Sequence, residues 1–188
     1  MARNPHMAHS GLTGVLLVGG ASRRFGSPKA LARFEGETLA ERAWRLLGDV
    51  SDECIAVGKA SDALLLPFPV ADDGSSLRAP LAGVVSGLRA ATNDVCIFLP
   101  VDCPLVSARS LLRLAGAGAD AAVPQTGPLP GAYRRAALPA LERSLLAGKL
   151  ALRDALKAVE VQVVELDPAE LVNVNTKADL QMLKRAHA

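Results

Sequence analysis

Six short apolar runs recur along the chain, and each is bounded by residues that favour turns. Runs of roughly 4–8 residues bounded by glycine, proline or aspartate are typical of β-strands. Several of these runs are too continuously apolar for a sheet with one face in water, so the pattern predicts a sheet covered on both faces. The predicted strands are GVLLV (14–18), ECIAV (53–57), PFPVA (67–71), DVCIFLP (94–100), DAAVP (120–124) and VQVVEL (161–166).

Helical patterns fill segments between the predicted strands. Thr38 opens the sequence T-L-A-E, a capping box with Glu41 at the third helical position, ahead of an amphipathic run to Leu47. Strands that alternate with helices imply parallel βαβ units with right-handed crossovers. The pattern therefore predicts an α/β fold, a three-layer and mostly parallel sheet with helices on both faces. The other predicted helices run from Leu81 to Ala91, from the N-cap Ser107 onward, from near Pro139 to Gly148, and from the N-cap Thr176 with Asp179 in the first turn.

The length of the chain, 188 residues, suits one ordinary domain. We expect residues 12–188 to form a single domain and residues 1–11 to be a disordered tail. Half of the residues are hydrophobic but only 3% are aromatic. The interior is therefore expected to consist mainly of Ala, Leu and Val, as where helices pack on a parallel sheet.

Charge and hydropathy exclude two classes of partner. A formal net charge of +2 is too small for a general polyanion binder, and the basic residues are not interleaved with aromatic ones. Nucleic acid is therefore not an expected partner. No stretch reaches the roughly eighteen uncharged apolar residues that are needed to cross a bilayer, so no membrane span is expected either.

The cysteines and histidines indicate no metal site. An odd number of cysteines without metal-ligand spacing favours reduced thiols, and hence a cytoplasmic protein. All three histidines fall near the two ends of the sequence, which disfavours zinc chemistry and a histidine general base. Cys54 and Cys96 lie in predicted strands, where a small buried hydrophobic residue is the simpler interpretation. No neighbouring base supports Cys103 as a nucleophile.

The loop after the first predicted strand is rich in cations. It reads LVGGASRRFGSPKA (17–30), and the chain contains no carboxylate before Glu35. Two adjacent glycines let backbone N–H groups converge on an anion, and a cation about 4 Å from a phosphate contributes on the order of 4 kcal/mol at an intermediate dielectric. Arg23, Arg24 and Lys29 are the candidate phosphate ligands. A flexible glycine turn with solvated arginines is the alternative, since the loop matches neither the dinucleotide fingerprint nor a Walker A motif.

A carboxylate follows the fourth predicted strand. Ligands of parallel α/β sheets bind beyond the carboxyl ends of the strands, so the loop after Val18 and the segment after Leu99 belong to one rim. The sequence FLPVDCPLV delivers Asp102 to that rim, opposite the cationic loop. A carboxylate in this place suits Mg²⁺, which typically takes one or two carboxylates together with phosphate oxygens. The alternative is a turn aspartate that accepts from backbone N–H groups.

Two further segments carry candidate ligand residues. In ADDGSSLRAPLAG, Asp72 and Asp73 end a strand shortly before a helix that opens with small residues. A planar base can lie close to the backbone there, and a carboxylate can accept from its ring N–H groups. In NVNT, Asn173 and Asn175 precede the last predicted helix. Ordinary turn and cap roles are the alternative for both asparagines.

Four motifs, taken together and in order, resemble those of one enzyme family. LVGGASRRFGSPKA, APLAGVVSGL, LPVDCPLV and NVNTKADL resemble the molybdenum cofactor guanylyltransferase family, within the Rossmann-like nucleotidyltransferases. The resemblance covers about residues 12–186. It implies Mg²⁺-dependent transfer of GMP from GTP to the terminal phosphate of molybdopterin, with release of pyrophosphate and formation of a guanine dinucleotide form of the cofactor.

The resemblance also implies residue roles. Arg24 and Lys29 would hold the phosphates and take part in catalysis, and Asp102 would be a catalytic residue that binds magnesium. The nucleotide-binding residues implied in this way are Leu17, Gly19, Gly20, Lys29, Asp72 and Asp102.

The base and acceptor ends of the implied site rest on the same resemblance. Asp72 is expected to read the guanine, because its distance from PLAG fits the family better than that of Asp73. Asn173 and Asn175 match the family's N-x-N segment, which lies on the pterin side of the cleft or near the metal. The segment 127–149 carries no motif that maps to the family, so the acceptor site stays undefined.

Two alternative functions remain open. One keeps the fold and uses CTP with molybdopterin, or GTP with another small phosphate acceptor; the LVGG sequence favours the guanine branch. The other is a nonenzymatic nucleotide-binding adapter, which the combination of Lys29 and Asp102 disfavours because binding alone does not need a metal ligand. The expected partners are GTP and molybdopterin as substrates, with transient contacts to proteins that deliver molybdopterin or mature molybdoenzymes.

Overall fold

Strands alternate with helices along the chain in the computed structural model, which describes residues 11–19, 25–75 and 78–187. The predicted tail lies outside these residues except for Gly11. No helix in the described part of the chain is long and apolar enough to cross a membrane. The strands are β1 (Leu12–Leu17), β2 (Arg33–Phe34), β3 (Glu37–Thr38), β4 (Glu53–Gly58), β5 (Val70–Asp72), β6 (Val95–Pro100), β7 (Ala121–Pro124), β8 (Gly131–Arg134) and β9 (Val161–Val164). The helices are α1 (Leu39–Val50), α2 (Pro80–Ala90), α3 (Ala108–Ala115), α4 (Leu138–Leu146), α5 (Leu152–Ala155) and α6 (Lys177–Ala186).

Seven of the strands form one mixed sheet in the order β5-β4-β1-β6-β8-β7-β9. β1 pairs in parallel with β4 on one side and with β6 on the other, and β5 extends the parallel half beyond β4. β8 runs antiparallel between β6 and β7, while β9 pairs in parallel with β7. The predicted α/β class with a mostly parallel sheet is confirmed.

Helices cover both faces of this sheet, because successive residues of a strand point to opposite sides. Leu16 of β1 and Leu99 of β6 pack in one core with α1, α3 and α6. Val15 of β1 and Phe98 of β6 pack in a second core with α2, α4 and α5. All four side chains are fully buried. The three layers expected from continuously apolar strands are therefore present.

The predicted helix starts at Thr38 and Thr176 are capping boxes in the structure. The Thr38 hydroxyl accepts from the Glu41 backbone N–H at 3.1 Å, and the Glu41 carboxylate accepts from the Thr38 N–H at 2.9 Å. Thr176 and Asp179 make the same reciprocal pair at α6. Ser107, the predicted N-cap of α3, also accepts from a backbone N–H of its helix. These bonds satisfy N–H groups that a helix start leaves without intrahelical partners.

Two strands differ from the pattern-based prediction. Residues 125–132, QTGPLPGA, are rich in glycine and proline and predict a loop, but Gly131 and Ala132 open β8. Pairing with strands on both sides, rather than intrinsic propensity, makes this segment a strand. The run PFPVA predicts a strand from Pro67, but β5 begins at Val70. Pro67 and Pro69 have no N–H to donate to a sheet, which shortens the strand.

The parallel half of the sheet brings four strand ends together. Because β5, β4, β1 and β6 are neighbours with the same direction, their carboxyl ends meet at one edge. The segments that follow these strands carry Asp73, Lys59, Gly19 and Asp102. This edge is the place where sheets of this kind bind ligands.

Gly87 of α2 tests how closely this helix packs on the central strands. A Cβ at Gly87 would come within 2.7 Å of Phe98 and 2.8 Å of Val15. We expect Gly87→Ala to lower the free energy of unfolding by about 1–3 kcal/mol, the usual cost of overpacking. Gly48 of α1 is the matched control, because its Cβ would meet no atom within 4 Å. Gly48→Ala should raise the free energy of unfolding by about 0.5–1 kcal/mol. Urea denaturation measures both, and equal effects would contradict the packing described.

Candidate active site

A cavity of about 340 Å³ lies along the edge where the four parallel strands end. Its wall runs from the residues after β5 and β4, past those after β1, to those after β6. Neighbouring strands lie about 4.8 Å apart, so the three intervals span roughly 14 Å. Leu17 and Gly19, both predicted to bind nucleotide, line its middle. The polar and charged side chains of its wall belong to Lys59, Asp73, Arg78, Asp102, Cys103 and Asn173.

Lys29 and Asp102 form an ion pair at the β6 end of the cavity. The Lys29 Nζ lies 3.0 Å from Asp102 Oδ2. Lys29 begins a single turn of 3-10 helix, which is anchored by Ala30 in the core. Asp102 lines the cavity and keeps 27% of its side chain exposed, so the ion pair does not remove the carboxylate from the site. Lys29 of the cationic segment and the acid singled out in the sequence therefore meet at one place.

The two asparagines of NVNT flank this ion pair. Val174 between them is fully buried, and its backbone N–H donates to the Asp102 carbonyl oxygen at 2.8 Å. Asn173 is exposed and lines the cavity, while the Asn175 Oδ1 accepts from Lys29 Nζ at 3.3 Å. The N-x-N spacing thus anchors one residue in the core and places an amide on each side of it, near Asp102.

The last helix fixes the backbone of the second asparagine. Asp179 Oδ2 accepts from the backbone N–H groups of Asn175 and Thr176, both at 2.8 Å. These two hydrogen bonds hold the pKa of Asp179 below its usual value. Because Thr176 supplies the side-chain cap of α6, a capping role does not account for the side chains of the asparagines.

Cys103 is buried next to Asp102 and forms part of the cavity wall. Its Sγ lies 3.0 Å from Asn173 Oδ1 and 3.7 Å from Asp102 Oδ1. Burial, and then the negative charge of Asp102, raise the pKa of the Cys103 thiol well above its usual value. The protonated thiol agrees with the sequence-based view that Cys103 is not a nucleophile.

A second ion pair lies at the opposite end of the cavity. The Lys59 Nζ is 2.6 Å from Asp73 Oδ1, and the two side chains are only 9% and 7% exposed. Lys59 also donates to the Ser75 carbonyl, and Asp73 accepts from the Ser75 N–H. Lys59 belongs to none of the four sequence motifs. Its position directly after β4, at the ligand-binding edge, is the signal that could have identified it.

Asp72 is the last residue of β5 and is not part of this cavity wall. Its carboxylate accepts from the Ala60 N–H at 2.6 Å and from the Gly74 N–H at 2.7 Å. These backbone hydrogen bonds lower the pKa of Asp72 and engage it within its own loop. The guanine-reading role of Asp72 stays a prediction, and of these two neighbouring aspartates it is Asp73 that lines the cavity.

The oxygen donors around Asp102 fit a small hard cation. Among residues 11–19, 25–75 and 78–187, no group of three or more His, Cys, Asp or Glu residues could hold a metal ion. One partly exposed carboxylate is instead compatible with Mg²⁺, which can take its other ligands from phosphates and water. Gly20 and Arg24 lie outside the described residues, so their implied roles stay predictions.

Fold and cavity together define a nucleotide-binding α/β protein. A polar cleft beyond the carboxyl ends of parallel strands is the place where such sheets bind nucleotides. The sequence model of the MobA-like NTP transferase domain matches residues 14–164. The chain belongs to that family, and its class is therefore that of the nucleotidyltransferases.

Relatives and a solved structure cover most of the chain. A Bacillus subtilis (strain 168) protein named probable molybdenum cofactor guanylyltransferase is 33% identical over 90% of this chain and 93% of its own length. The Pseudomonas putida molybdenum cofactor guanylyltransferase is 32% identical over 89% of this chain and 94% of its own. The crystal structure of molybdopterin-guanine dinucleotide biosynthesis protein A from Archaeoglobus fulgidus shares the fold, with a TM-score of 0.79 and 24% identity, over 93% of this chain and 98% of that one. The family resemblance of the four motifs is confirmed.

Proposed function

We propose that this protein is a molybdenum cofactor guanylyltransferase, which transfers GMP from GTP to the terminal phosphate of molybdopterin. The products are pyrophosphate and molybdopterin guanine dinucleotide. The observation that carries the proposal is the 3.0 Å ion pair between Lys29 and Asp102 at the wall of the cavity. This cavity lies beyond the carboxyl ends of the parallel strands, where α/β sheets bind ligands. The names of the relatives support GTP and molybdopterin as the two substrates.

The reaction exchanges one phosphoanhydride bond for another. A terminal phosphate oxygen of molybdopterin forms a bond to the α-phosphorus of GTP. The bond from that phosphorus to the oxygen bridging the α- and β-phosphates breaks, and this oxygen leaves with pyrophosphate. Because the attacking oxygen is already anionic, neither a protein nucleophile nor a histidine base is required. The protein has to supply alignment and positive charge at the crowded α-phosphorus.

Lys29 is proposed to supply a fixed positive charge at the phosphates. Its ammonium group is held by Asp102 and Asn175. A charge that is already in position stabilises a transition state without reorganisation during the reaction. Arg24, on the preceding loop, is proposed to add a second cation, and Gly20 to bring backbone N–H groups close to the phosphates.

Mg²⁺ is proposed as the metal ion of this reaction. Asp102 would hold it together with phosphate oxygens, and the ion would supply charge neutralisation between the phosphates. The Asp102 carbonyl bond to Val174 fixes the backbone from which that carboxylate projects. Asn175 is proposed to keep the neighbouring ammonium of Lys29 in place.

Asp73 and Lys59 are proposed to read the guanine base. Guanine presents N–H donors at N1 and N2 beside the O6 acceptor, and a carboxylate next to an ammonium group matches that edge. Cytosine presents a single amino donor on the same edge, so it satisfies the carboxylate less completely. This assignment moves the base-reading role from Asp72 to Asp73, because Asp73 lines the cavity and Asp72 does not.

Asp73→Asn tests the proposed reading of guanine. Without the carboxylate the guanine donors lose a charged acceptor, and hydrogen bonds to charged groups contribute about 1.5–3 kcal/mol. We therefore expect kcat/KM for GTP to fall about 10- to 100-fold, and the preference for GTP over CTP to fall with it. Asp72→Asn is the matched control and should change that preference by less than about twofold. A greater loss of preference in Asp72→Asn would return the role to Asp72.

Lys29→Ala tests the proposed charge at the phosphates. We expect kcat to fall about 10²- to 10³-fold, by analogy with the removal of one transition-state donor. Initial rates of pyrophosphate release measure the effect. Lys157→Ala is the control, because Lys157 is 75% exposed and pairs with Asp154 in its own helical segment. Near-normal turnover of Lys29→Ala would exclude Lys29 from the mechanism.

Nucleotide selectivity tests the function as a whole. Thermal unfolding with GTP, CTP, ATP or UTP, each with and without Mg²⁺, should show the largest and Mg²⁺-dependent rise in Tm with GTP, since a ligand at 100 times its Kd stabilises by about 2.7 kcal/mol. A preference for CTP supports the cytidylyl alternative instead.

Release of pyrophosphate after addition of molybdopterin then distinguishes the enzyme from a nonenzymatic adapter. Release with GTP that requires another phosphate compound, and not molybdopterin, identifies the alternative acceptor. Transient contacts with proteins that deliver molybdopterin or mature molybdoenzymes belong to the same proposal.

A further inference from the structure

We infer that Cys103 is a positioning residue, whose thiol turns the Asn173 amide so that its N–H groups donate to a phosphate oxygen of a substrate. The inference rests on the proposed nucleotidyl transfer and adds to it a role for a residue that does not itself react. The sequence leaves two roles open for Asn173, on the pterin side of the cleft or near the metal. The inference favours substrate binding: the amide nitrogen binds a phosphate of molybdopterin or of GTP, and the amide oxygen does not bind the metal.

The thiol has one proton and two candidate acceptors. Its Sγ lies 3.0 Å from Asn173 Oδ1, but 3.7 Å from Asp102 Oδ1. A thiol is a weak donor, and the shorter contact is the one it can satisfy. Cys103 is 4% exposed, so water does not compete for that proton. The hydrogen bond to Asn173 is therefore the principal polar contact of the Cys103 side chain.

The backbone around Asn173 leaves its amide only rotational freedom. Val174 is fully buried, and its N–H is bound to the Asp102 carbonyl, so the segment cannot slide along the Asp102 loop. A planar amide in a fixed place has two main orientations, which exchange its oxygen and its nitrogen. A donor thiol beside it favours the orientation that directs the oxygen toward Cys103.

The amide nitrogen is consequently presented on the other side. In the described ranges, the Asn173 side chain has a hydrogen bond at its oxygen, and no buried side-chain nitrogen or oxygen lacks a partner. Asn173 is exposed and lines the cavity, so its N–H groups reach space that a ligand can enter. Two N–H donors next to Asp102 and Lys29 suit an anionic oxygen. A phosphate of GTP and the terminal phosphate of molybdopterin share that chemistry.

The test compares Cys103→Ala, which removes the donor, with Cys103→Ser, which keeps one. We expect Cys103→Ala to raise KM for one phosphate substrate about two- to tenfold, the range expected for one neutral hydrogen bond, with a smaller change in kcat. Cys103→Ser should stay within about twofold of the wild type. The substrate whose KM rises, GTP or molybdopterin, is the source of the bound oxygen. Equal losses in the two variants, or no loss in either, overturn the inference.

Cys96→Ala is the matched control for the loss of a buried thiol. Cys96 is fully buried in β6, the strand that leads to Cys103, and its thiol faces the Asn93 carbonyl at the start of that strand. Its substitution should lower Tm about as much as Cys103→Ala but leave both KM values unchanged. A rise in KM in Cys96→Ala equal to that in Cys103→Ala would mean that stability alone moves KM, which overturns the inference.

Substitutions of Asn173 test whether Cys103 acts through it. In the Asn173→Ala background, Cys103→Ala should cause no further kinetic loss, and additive losses overturn the inference. Asn173→Asp keeps an oxygen but removes both donors, so it should raise the same KM. Wild-type kinetics in Asn173→Asp would mean that the amide works through its oxygen, which again overturns it.

Calorimetric titration with GTP and with molybdopterin gives a readout that does not need turnover. Cys103→Ala should weaken the binding of one of them about two- to tenfold, and Cys103→Ser should not. If the wild type binds these compounds but transfers no GMP, the proposed function fails while this comparison still decides the role of Cys103. Unchanged affinities for both compounds in Cys103→Ala overturn the inference.

Discussion

The hydrogen bond from the Val174 N–H to the Asp102 carbonyl joins two of the three segments that make up the β6 end of the cavity, and Lys29 of the third segment contacts both of them. Asp102 follows a central strand, so the sheet determines its position. Lys29 comes from 73 positions earlier in the chain, and Asn173 lies 70 positions beyond Cys103. Because Val174 is buried in the core, the two neighbouring amides cannot move independently of Asp102. One backbone contact thereby converts residues that are far apart in sequence into a preorganised polar network.

In the part of the chain that the structure describes, an ion pair lies at each end of the cavity. Lys29 pairs with Asp102 at one end, and Lys59 pairs with Asp73 at the other. Each acid keeps a neighbouring cation in place, so a nucleotide meets oriented donors and acceptors rather than a bare positive patch. Such an arrangement favours specific recognition over general attraction for polyanions, in keeping with a net charge of only +2. In the function that we propose, this polarity has a direction, with the base at the Asp73 end and the phosphates at the Asp102 end.

The parts of the structure that sequence predicts well are those with local causes. Short apolar runs between turn residues predict strands, and their continuous apolar character predicts that both faces of the sheet are covered. Thr38 and Thr176 predict helix starts because their capping partners lie three residues away. Lys29 and Asp102 are identifiable because each follows a predicted strand. Strand β8 could not be predicted from the sequence, because only its pairing with β6 and β7 makes this segment a strand. Which of Asp72 and Asp73 lines the cavity depends on the residue at which β5 ends. The contact between Cys103 and Asn173 depends on tertiary packing. Neither feature can be predicted from the local sequence pattern.

The position of α6 has a consequence for how the protein is made. This helix follows NVNT directly, and it buries Leu180 and Leu183 against the core formed with α1 and α3. Translation proceeds from the amino end, so all seven strands of the sheet emerge from the ribosome before the asparagines do. The wall around Asp102 is therefore the last part of the described chain to be synthesised, and it is complete only once α6 has packed against the core.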